Sequence, residues 1–130
     1  MFRNSKAFSS FSVRNVDEAK RFYGQTLGLE VSDVPGMSDV LELHLAGGPR
    51  IFVYPKPDHA PASFTILNFP VDNVERAVDA LVERGVRFEI YRDGPVKTDS
   101  KGIARDPNGP KMAWFKDPFG NILSVLEERR

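Results

Sequence analysis

The two side chains best suited to acid–base chemistry are Glu42 and His44, which lie two residues apart in the run VLELHLA. The alternation of this run predicts a strand over Val40–Ala46 with its leucines on one face. Glu42 and His44 then share the opposite face, where a carboxylate and an imidazole could act as a general base. The same pair could belong to a divalent metal site, although two donors are too few for a metal without a third.

The other histidine of the chain, His59, lies in the proline-rich loop 55–62 and could supply a third donor only by chance of folding. A surface position is the simpler interpretation for His59. For His44, a hydrogen-bonded histidine on the solvent side of a strand is likewise the simpler interpretation. The absence of cysteine excludes a thiolate metal site, a cysteine nucleophile and a disulfide framework.

Length and charge limit the function further. The chain has 130 residues, 18 Lys and Arg, and 18 Asp and Glu, so its formal net charge is zero. This balance gives no indication of a nucleic-acid partner. No stretch approaches the roughly 20 apolar residues that span a bilayer, and the N-terminus lacks the apolar run of a signal peptide. We expect a soluble, cytoplasmic protein with no membrane partner.

An internal repeat organises the chain into two halves. The segment VRNVDEAKRFYGQTLGLEV starts at Val13, and the segment VDNVERAVDALVERGVRFEI starts at Val71, which gives an offset of 58 residues. Two copies are too few for a solenoid, so the repeat indicates two similar structural units. Asn15 and Asn73 occupy equivalent positions and are predicted to cap the helix that follows each of them.

In each half the pattern predicts one strand, one helix and three further strands. A polar, irregular segment over Lys97–Pro110 is either a mobile loop above a site or a plain surface loop. The predicted strands of the first half are Ala7–Val13, Leu29–Ser32, Val40–Ala46 and Arg50–Tyr54, and those of the second are Phe64–Val71, Arg87–Tyr91, Lys111–Lys116 and Ile122–Glu127.

Two βαβββ units in tandem resemble the vicinal oxygen chelate superfamily, which includes glyoxalase I, extradiol dioxygenases, fosfomycin-resistance enzymes and bleomycin-binding proteins. The run FYGQTLG at 22–28 and the turn DPFGN at 117–121 match motifs of that superfamily. The resemblance implies an α+β fold of two tandem βαβββ modules that form a cupped mixed sheet with helices on the outside. It also implies one glyoxalase-like domain over 1–130, with modules at about 6–56 and 63–128.

The resemblance also implies where the metal ligands of the superfamily would lie. These positions carry Phe8, Phe52, Ile66 and Ser124 in this chain. Phenylalanine and isoleucine have no lone pair, and a neutral serine hydroxyl is a poor ligand for a divalent metal. We therefore expect no metal and no other cofactor.

Strand alternation, applied to the implied cup, predicts a largely apolar pocket with a few polar groups. Such a composition is typical of sites for small molecules, and aromatic walls suit a flat or hydrophobic ligand. The alternative is that the aromatic side chains merely fill the cup. The predicted lining residues are Phe8, Ser10, Phe52, Tyr54, Ile66, Asn68, Tyr91, Trp114 and Ser124.

The leading hypothesis is a metal-independent protein that binds a small aromatic or amphipathic molecule, similar to the bleomycin-resistance branch. The alternative is a glyoxalase-like lyase or isomerase that uses Glu42 and His44, with or without a relocated divalent metal. A third possibility is a non-catalytic module that acts through a protein partner. The resemblance also implies a homodimer.

Overall fold

Each half of the chain folds around its own four-stranded mixed sheet. The structure, a computed structural model, describes residues 1–128 and divides into a first unit, Met1–Ala60, and a second unit that begins at Pro61. Each unit pairs its sheet with a helix, so the predicted α+β fold of two tandem βαβββ modules is confirmed. That the two units act as one domain stays a prediction.

The first unit has the strand order β1-β4-β3-β2, with β1 parallel to β4 and the other neighbours antiparallel. A π-helical turn over Phe22–Thr26 extends its helix. Its elements are β1 (Ser9–Val13), α1 (Val16–Arg21), β2 (Glu30–Asp33), β3 (Leu41–His44) and β4 (Arg50–Pro55).

The helix of the first unit begins where the sequence predicts. The Asn15 side chain accepts a hydrogen bond of 2.8 Å from the backbone N–H of Glu18, which satisfies one of the free donors at the helix start. Ala19 and Tyr23 are fully buried, and the Tyr23 ring lies 5.6 Å from that of Phe11 on β1. One face of the sheet therefore packs against the helix, while the opposite face carries Glu42 and His44.

The second unit repeats this plan with the order β5-β8-β7-β6, in which β5 is parallel to β8. The Asn73 side chain accepts from the Arg76 N–H at 3.0 Å, which confirms the second predicted cap. The elements are β5 (Thr65–Pro70), α2 (Val74–Glu83), β6 (Ile103–Ala104), β7 (Met112–Lys116) and β8 (Ile122–Leu126).

The predicted strand over Arg87–Tyr91 is wrong. Only Phe88 forms a β-bridge there, with Phe115 of β7, and the Glu89 N–H donates to the Trp114 carbonyl at 2.8 Å. The rest of the same edge of β7 pairs with the two-residue strand β6, which lies inside the segment predicted to be irregular. Two short segments therefore share the edge of β7 that one strand was expected to cover.

A tight turn brings β6 to that edge. The Asp99 side chain accepts hydrogen bonds of 2.9 Å from the N–H groups of Lys101 and Ile103. Gly102 has a φ of +86°, and a Cβ built on it would lie 2.9 Å from the Cβ of Phe88. Only glycine fits this close approach without strain, so the turn fixes where the chain returns to the sheet.

Candidate functional site

The polar face of the first sheet, opposite its helix, carries the first group of predicted site residues. Strand register aligns one row across β1, β4, β3 and β2, and places His44 opposite Arg50 in the next row. The members of the aligned row are Ser10, Phe52, Glu42 and Ser32.

Glu42 lies at the centre of an ion-pair and hydrogen-bond network on this face. Its Oε1 accepts from the Arg50 Nη2 at 3.2 Å, and its Oε2 lies 3.6 Å from the His44 Nδ1. On the other side of the imidazole, His44 Nε2 and the Ser32 hydroxyl are hydrogen-bonded at 2.7 Å. The Glu42 side chain is only 16% exposed, so its charge needs these partners. That Glu42 and His44 are catalytic stays a prediction.

Two predicted pocket residues of this unit contact each other. The rings of Phe8 and Phe52 lie 4.6 Å apart, and the Arg50 guanidinium carbon lies 4.8 Å from the Phe52 centroid and 5.4 Å from that of Phe8. Such geometry is favourable for cation–π attraction. Phe52 is only 8% exposed, whereas Phe8 is 52% exposed; Ser10 and Tyr54 are exposed as well. The aromatic pair is therefore exposed to solvent mainly through Phe8.

His59 was predicted to lie at the surface, but the structure gives it a closer contact with the first strand. It is half-buried, and its Nδ1 shares a hydrogen bond of 2.6 Å with the hydroxyl of Ser12 on β1. This bond ties the loop after β4 to the first strand. Nothing in the spacing of the two residues, which are 47 positions apart, could have predicted it.

The second group of predicted residues lies on the face of the second sheet that carries Trp114. Register aligns Asn68, Ser124 and Trp114 across β5, β8 and β7. The Ser124 hydroxyl is fully buried and donates to the Asn68 side-chain oxygen at 2.6 Å. Ile66 is half-buried at a register shift of β5.

Trp114 lines two neighbouring hollows in the second unit. The larger, the Trp114 hollow, has a volume of about 450 Å³, and the smaller has about 290 Å³. Pro95 and Val96 also line both, and Tyr91 lines the smaller one with its ring 5.7 Å from that of Trp114 in an edge-on arrangement. The other residues around the larger hollow are Lys97, Ala104, Arg105, Asp106, Gly109, Pro110 and Met112.

Both aromatic residues carry a hydrogen-bond donor beside the smaller hollow, which the two side chains line together. Within residues 1–128, neither the Trp114 indole N–H nor the Tyr91 hydroxyl has a hydrogen-bond partner. Burial, and then the negative charge of Glu89, raise the pKa of Tyr91 above its ordinary value. The phenol is therefore protonated at neutral pH and can donate to a ligand, while the two rings provide apolar contact area.

The segment around the Trp114 hollow is held to the helix of its own unit by ion pairs. Arg105 donates to Glu75 on α2 at 2.9 Å and to Asp99 at 3.0 Å, and Lys101 lies 2.8 Å from Asp79. The hydrogen bond from Arg105 lowers the pKa of Glu75. Burial raises the pKa of Asp99, but hydrogen bonds from the Ile103 N–H and from Arg105 outweigh it and leave that pKa lowered.

The four positions that the superfamily uses for metal ligands do not fit a metal. Phe8, Phe52 and Ile66 have no donor atom, and the Ser124 hydroxyl is committed to Asn68. Elsewhere in the described part of the chain, no three His, Asp or Glu side chains are grouped to hold a metal ion.

Two βαβββ units in tandem define a glyoxalase-like α+β fold. The profile of the Glyoxalase/Bleomycin resistance protein/Dioxygenase superfamily matches residues 8–125, and the chain belongs to this superfamily. No curated protein sequence matches the chain. Over residues 1–128, no helix is long and apolar enough to cross a membrane.

Solved structures share the fold over nearly the whole chain. A superfamily member from Sphaerobacter thermophilus DSM 20745 is 24% identical with a TM-score of 0.70, covering 94% of this chain and 96% of that one. A glyoxalase family protein from Enterococcus faecalis is 25% identical with a TM-score of 0.68, covering 98% and 100%. TnmS3, an antibiotic binding protein from Streptomyces sp. CB03234, is 26% identical with a TM-score of 0.66, covering 95% and 96%.

The structure thus brings some of the predicted residues together. Phe8 contacts Phe52, Tyr91 contacts Trp114, and Asn68 contacts Ser124. Sequence reasoning missed Ser32, Arg50, Pro95, Val96 and Met112. The alternation of side chains along each strand could have identified Ser32 and Arg50, because they lie on the same face of the sheet as Glu42 and Phe52. No sequence pattern indicates that Pro95 and Val96 approach Trp114.

Proposed function

We propose that this protein binds a small aromatic or amphipathic molecule and that binding requires no metal. The observation that carries the proposal is the pair of hollows around Trp114. Small-molecule sites have volumes of about 300–1,000 Å³ and mostly apolar walls with a few polar groups. The larger hollow lies within this range, and its walls combine an indole ring, Met112, Val96 and prolines with charged residues at the rim.

A flat ligand fits this site for a specific chemical reason. An aromatic ring can lie against Trp114, and a polar substituent can accept from the indole N–H or from the Tyr91 hydroxyl. Lys97 has no ion-pair partner in the described chain, and it lines the larger hollow with Arg105. We therefore expect an acidic or carbonyl-bearing aromatic compound to bind better than an aromatic amine.

The similarity to TnmS3 supports this proposal. Its name describes an antibiotic binding protein, and this chain is 26% identical to it over 95% of its length. The composition of the four metal positions supports metal independence, because they provide no set of donor atoms. The geometry of Glu42 and His44 is compatible with acid–base chemistry as well.

The chain contains one tryptophan, so intrinsic fluorescence reports directly on the proposed site. We propose titrating the protein with a panel of naphthalene, quinoline and anthraquinone compounds that carry either a carboxylate or an amine. The expected result is quenching or a shift of Trp114 emission, with a dissociation constant confirmed by calorimetry. The Trp114→Ala variant is expected to bind at least about tenfold more weakly, because the largest contact area is lost.

Phe2→Ala is a matched control, because Phe2 is an exposed aromatic residue that lines neither hollow. Equal affinity of Trp114→Ala and wild type, or no binding of any compound at millimolar concentration, would overturn the proposal. A parallel titration after EDTA treatment tests metal independence. Binding that appears only after addition of Ni, Zn, Mn or Fe(II) would contradict that part.

The proposal also includes a homodimer, which the family resemblance implies, and a cytoplasmic location, which is an expectation from the sequence. Light scattering coupled to size-exclusion chromatography tests the first part. A mass of about twice 14.6 kDa is expected. A monomeric mass at micromolar concentration would contradict it.

A further inference from the structure

Ser32, His44 and Glu42 lie in series on the polar face of the first sheet. The Ser32 hydroxyl lies 2.7 Å from His44 Nε2, and Glu42 Oε2 lies 3.6 Å from His44 Nδ1. A nucleophile, a base and an acid that orients the base have this order in serine hydrolases of unrelated folds. We propose that these residues hydrolyse carboxylic esters, with Ser32 as the nucleophile.

The sheet places the three residues without any loop. Ser32 on β2 lies directly opposite Glu42 on β3, and His44 lies two residues further along β3 on the same face. The imidazole can therefore reach the Ser32 hydroxyl diagonally across the strand pair while staying beside the carboxylate. The hydrogen bond to Arg50 at 3.2 Å holds the other oxygen of Glu42 in place.

One tautomer of His44 fits both contacts. With the His44 proton on Nδ1, toward the negatively charged Glu42, the Nε2 lone pair faces the Ser32 hydroxyl and accepts its hydrogen bond. This tautomer makes His44 a general base for Ser32. Glu42 then stabilises the imidazolium that forms when the proton is transferred.

The reaction balances with water as the only co-substrate. The Ser32 Oγ bonds to the ester carbonyl carbon while its proton moves to His44 Nε2, and the alcohol leaves with that proton as the ester C–O bond breaks. Water then attacks the acyl-serine, giving one proton to His44, which returns it to Ser32 as the carboxylic acid is released. The net change is one ester and one water converted into one acid and one alcohol.

The edge position of β2 supplies a donor for the negative oxygen that forms during attack. The Val34 N–H donates to the Val40 carbonyl. In an antiparallel pair, every second residue of a strand is hydrogen-bonded to its partner strand, so Ser32 is bonded to β3 as well. The N–H of Asp33, which lies between them, therefore points away from β3 at the sheet edge. The N–H of the residue after a nucleophilic serine is a frequent donor to this oxygen.

The same face indicates the class of ester. Phe52 occupies the row of Ser32, two strands away on β4, and Phe8 adjoins it. Neighbouring strands lie about 4.8 Å apart, so an apolar or aryl group roughly 10 Å from the carbonyl carbon would reach these rings. The site lies in the first unit and does not involve Trp114, so this proposal and the proposed function stand or fall separately.

An alkyl fluorophosphonate tests the proposal, because it modifies activated serines and leaves ordinary ones unmodified. Wild-type protein is expected to gain one phosphonyl group, located on Ser32 by peptide mass spectrometry. His44→Gln is expected to slow this labelling by at least about a hundredfold, and Glu42→Gln by about tenfold. The rate of hydrolysis of p-nitrophenyl esters, measured with acyl chains of several lengths, is expected to be highest for wild type, lower for Glu42→Gln and lowest for His44→Gln.

Ser12→Ala is the matched control, because Ser12 also shares a short hydrogen bond with a histidine ring, that of His59. It is expected to label like wild type. Absence of an adduct on wild-type Ser32, an adduct on Ser12 instead, or labelling of Ser32 that is unchanged in His44→Gln would each overturn the proposal. Circular dichroism of each variant verifies that the fold is retained.

Discussion

The two units share one plan but differ at the outer edge of their sheets. In the first unit a single strand, β2, covers the edge of β3 with four paired residues. In the second unit the same edge is divided between a bridge at Phe88 and the short strand β6, with an irregular segment between them. Residues of that segment line the hollows beside Trp114. The hollows beside Trp114 thus lie where the edge of the second sheet is divided, whereas the same edge of the first sheet is a continuous pairing of β2 with β3.

The hairpin turns before the last strand of each unit differ as well. The turn before β8 contains Asp117, whose buried carboxylate accepts from the N–H groups of Phe119 and Asn121 and from the Asn121 side chain. The corresponding turn before β4 contains two glycines with positive φ, Gly47 and Gly48, and is exposed. The second unit therefore depends more on individual polar contacts.

The largest expected effect comes from Gly102→Ala. The added Cβ would lie 2.9 Å from Phe88 Cβ and 3.0 Å from the Glu89 carbonyl oxygen, at a φ of +86°. Strain and overlap together are expected to lower the free energy of unfolding by about 4 kcal/mol. Gly94→Ala has a similar φ of +94° but open space around it, so we expect a loss of only about 1–2 kcal/mol.

Urea unfolding of both variants measures this difference. If the two substitutions cost the same, the close packing between the two segments at the edge of β7 does not exist in solution. The comparison of a divided edge with a continuous one would then be wrong.

The next effect is expected from Asp117→Ala. Three donors lose their acceptor in a buried turn, which we expect to cost about 2–3 kcal/mol. Asp58→Ala, in an exposed turn of the first unit beside Lys56, is expected to leave the melting temperature almost unchanged, because an exposed ion pair is screened by solvent. Thermal unfolding followed by circular dichroism measures both, and equal losses would contradict the dependence of the second unit on this carboxylate.

The smallest effect is a pH dependence of the ion pairs around the Trp114 hollow. The pKa of Glu75 is lowered by its hydrogen bond from Arg105, so its ionised form stabilises the folded state at neutral pH. This stabilisation is lost as pH falls through the lowered pKa, on the acid side of about pH 4. The difference in melting temperature between wild type and Glu75→Gln is expected to be small at pH 7 and to vanish once the pH lies below the lowered pKa of Glu75.

Glu83→Gln is the control for this titration. Glu83 lies on the same helix and has no ion-pair partner within residues 1–128. A Glu75→Gln profile that parallels the Glu83→Gln profile at every pH would show that the Arg105 bond contributes nothing to stability.

Local patterns predicted much of the fold. Asn15 and Asn73 cap their helices as expected, because a capping side chain acts on backbone groups only three residues away. Strand alternation placed Leu41 and Leu43 in the core and Glu42 and His44 on the opposite face. The prediction of a strand over Arg87–Tyr91 was wrong, because a residue pattern typical of strands does not guarantee that a partner strand pairs with the whole segment.

Residue types and short spacings were enough to predict the repeat, the α+β class, the helix starts and the lack of a set of donor atoms at the four positions that the superfamily uses for metal. Each of these depends on residue type or on spacing along a few residues. Three features became visible only in the folded chain: β6 pairs with β7, Pro95 and Val96 line a hollow with Trp114, and the Ser32 hydroxyl is hydrogen-bonded to His44. These contacts join distant parts of each unit, and their geometry is set by strand register and by the Asp99 turn, which no short pattern encodes.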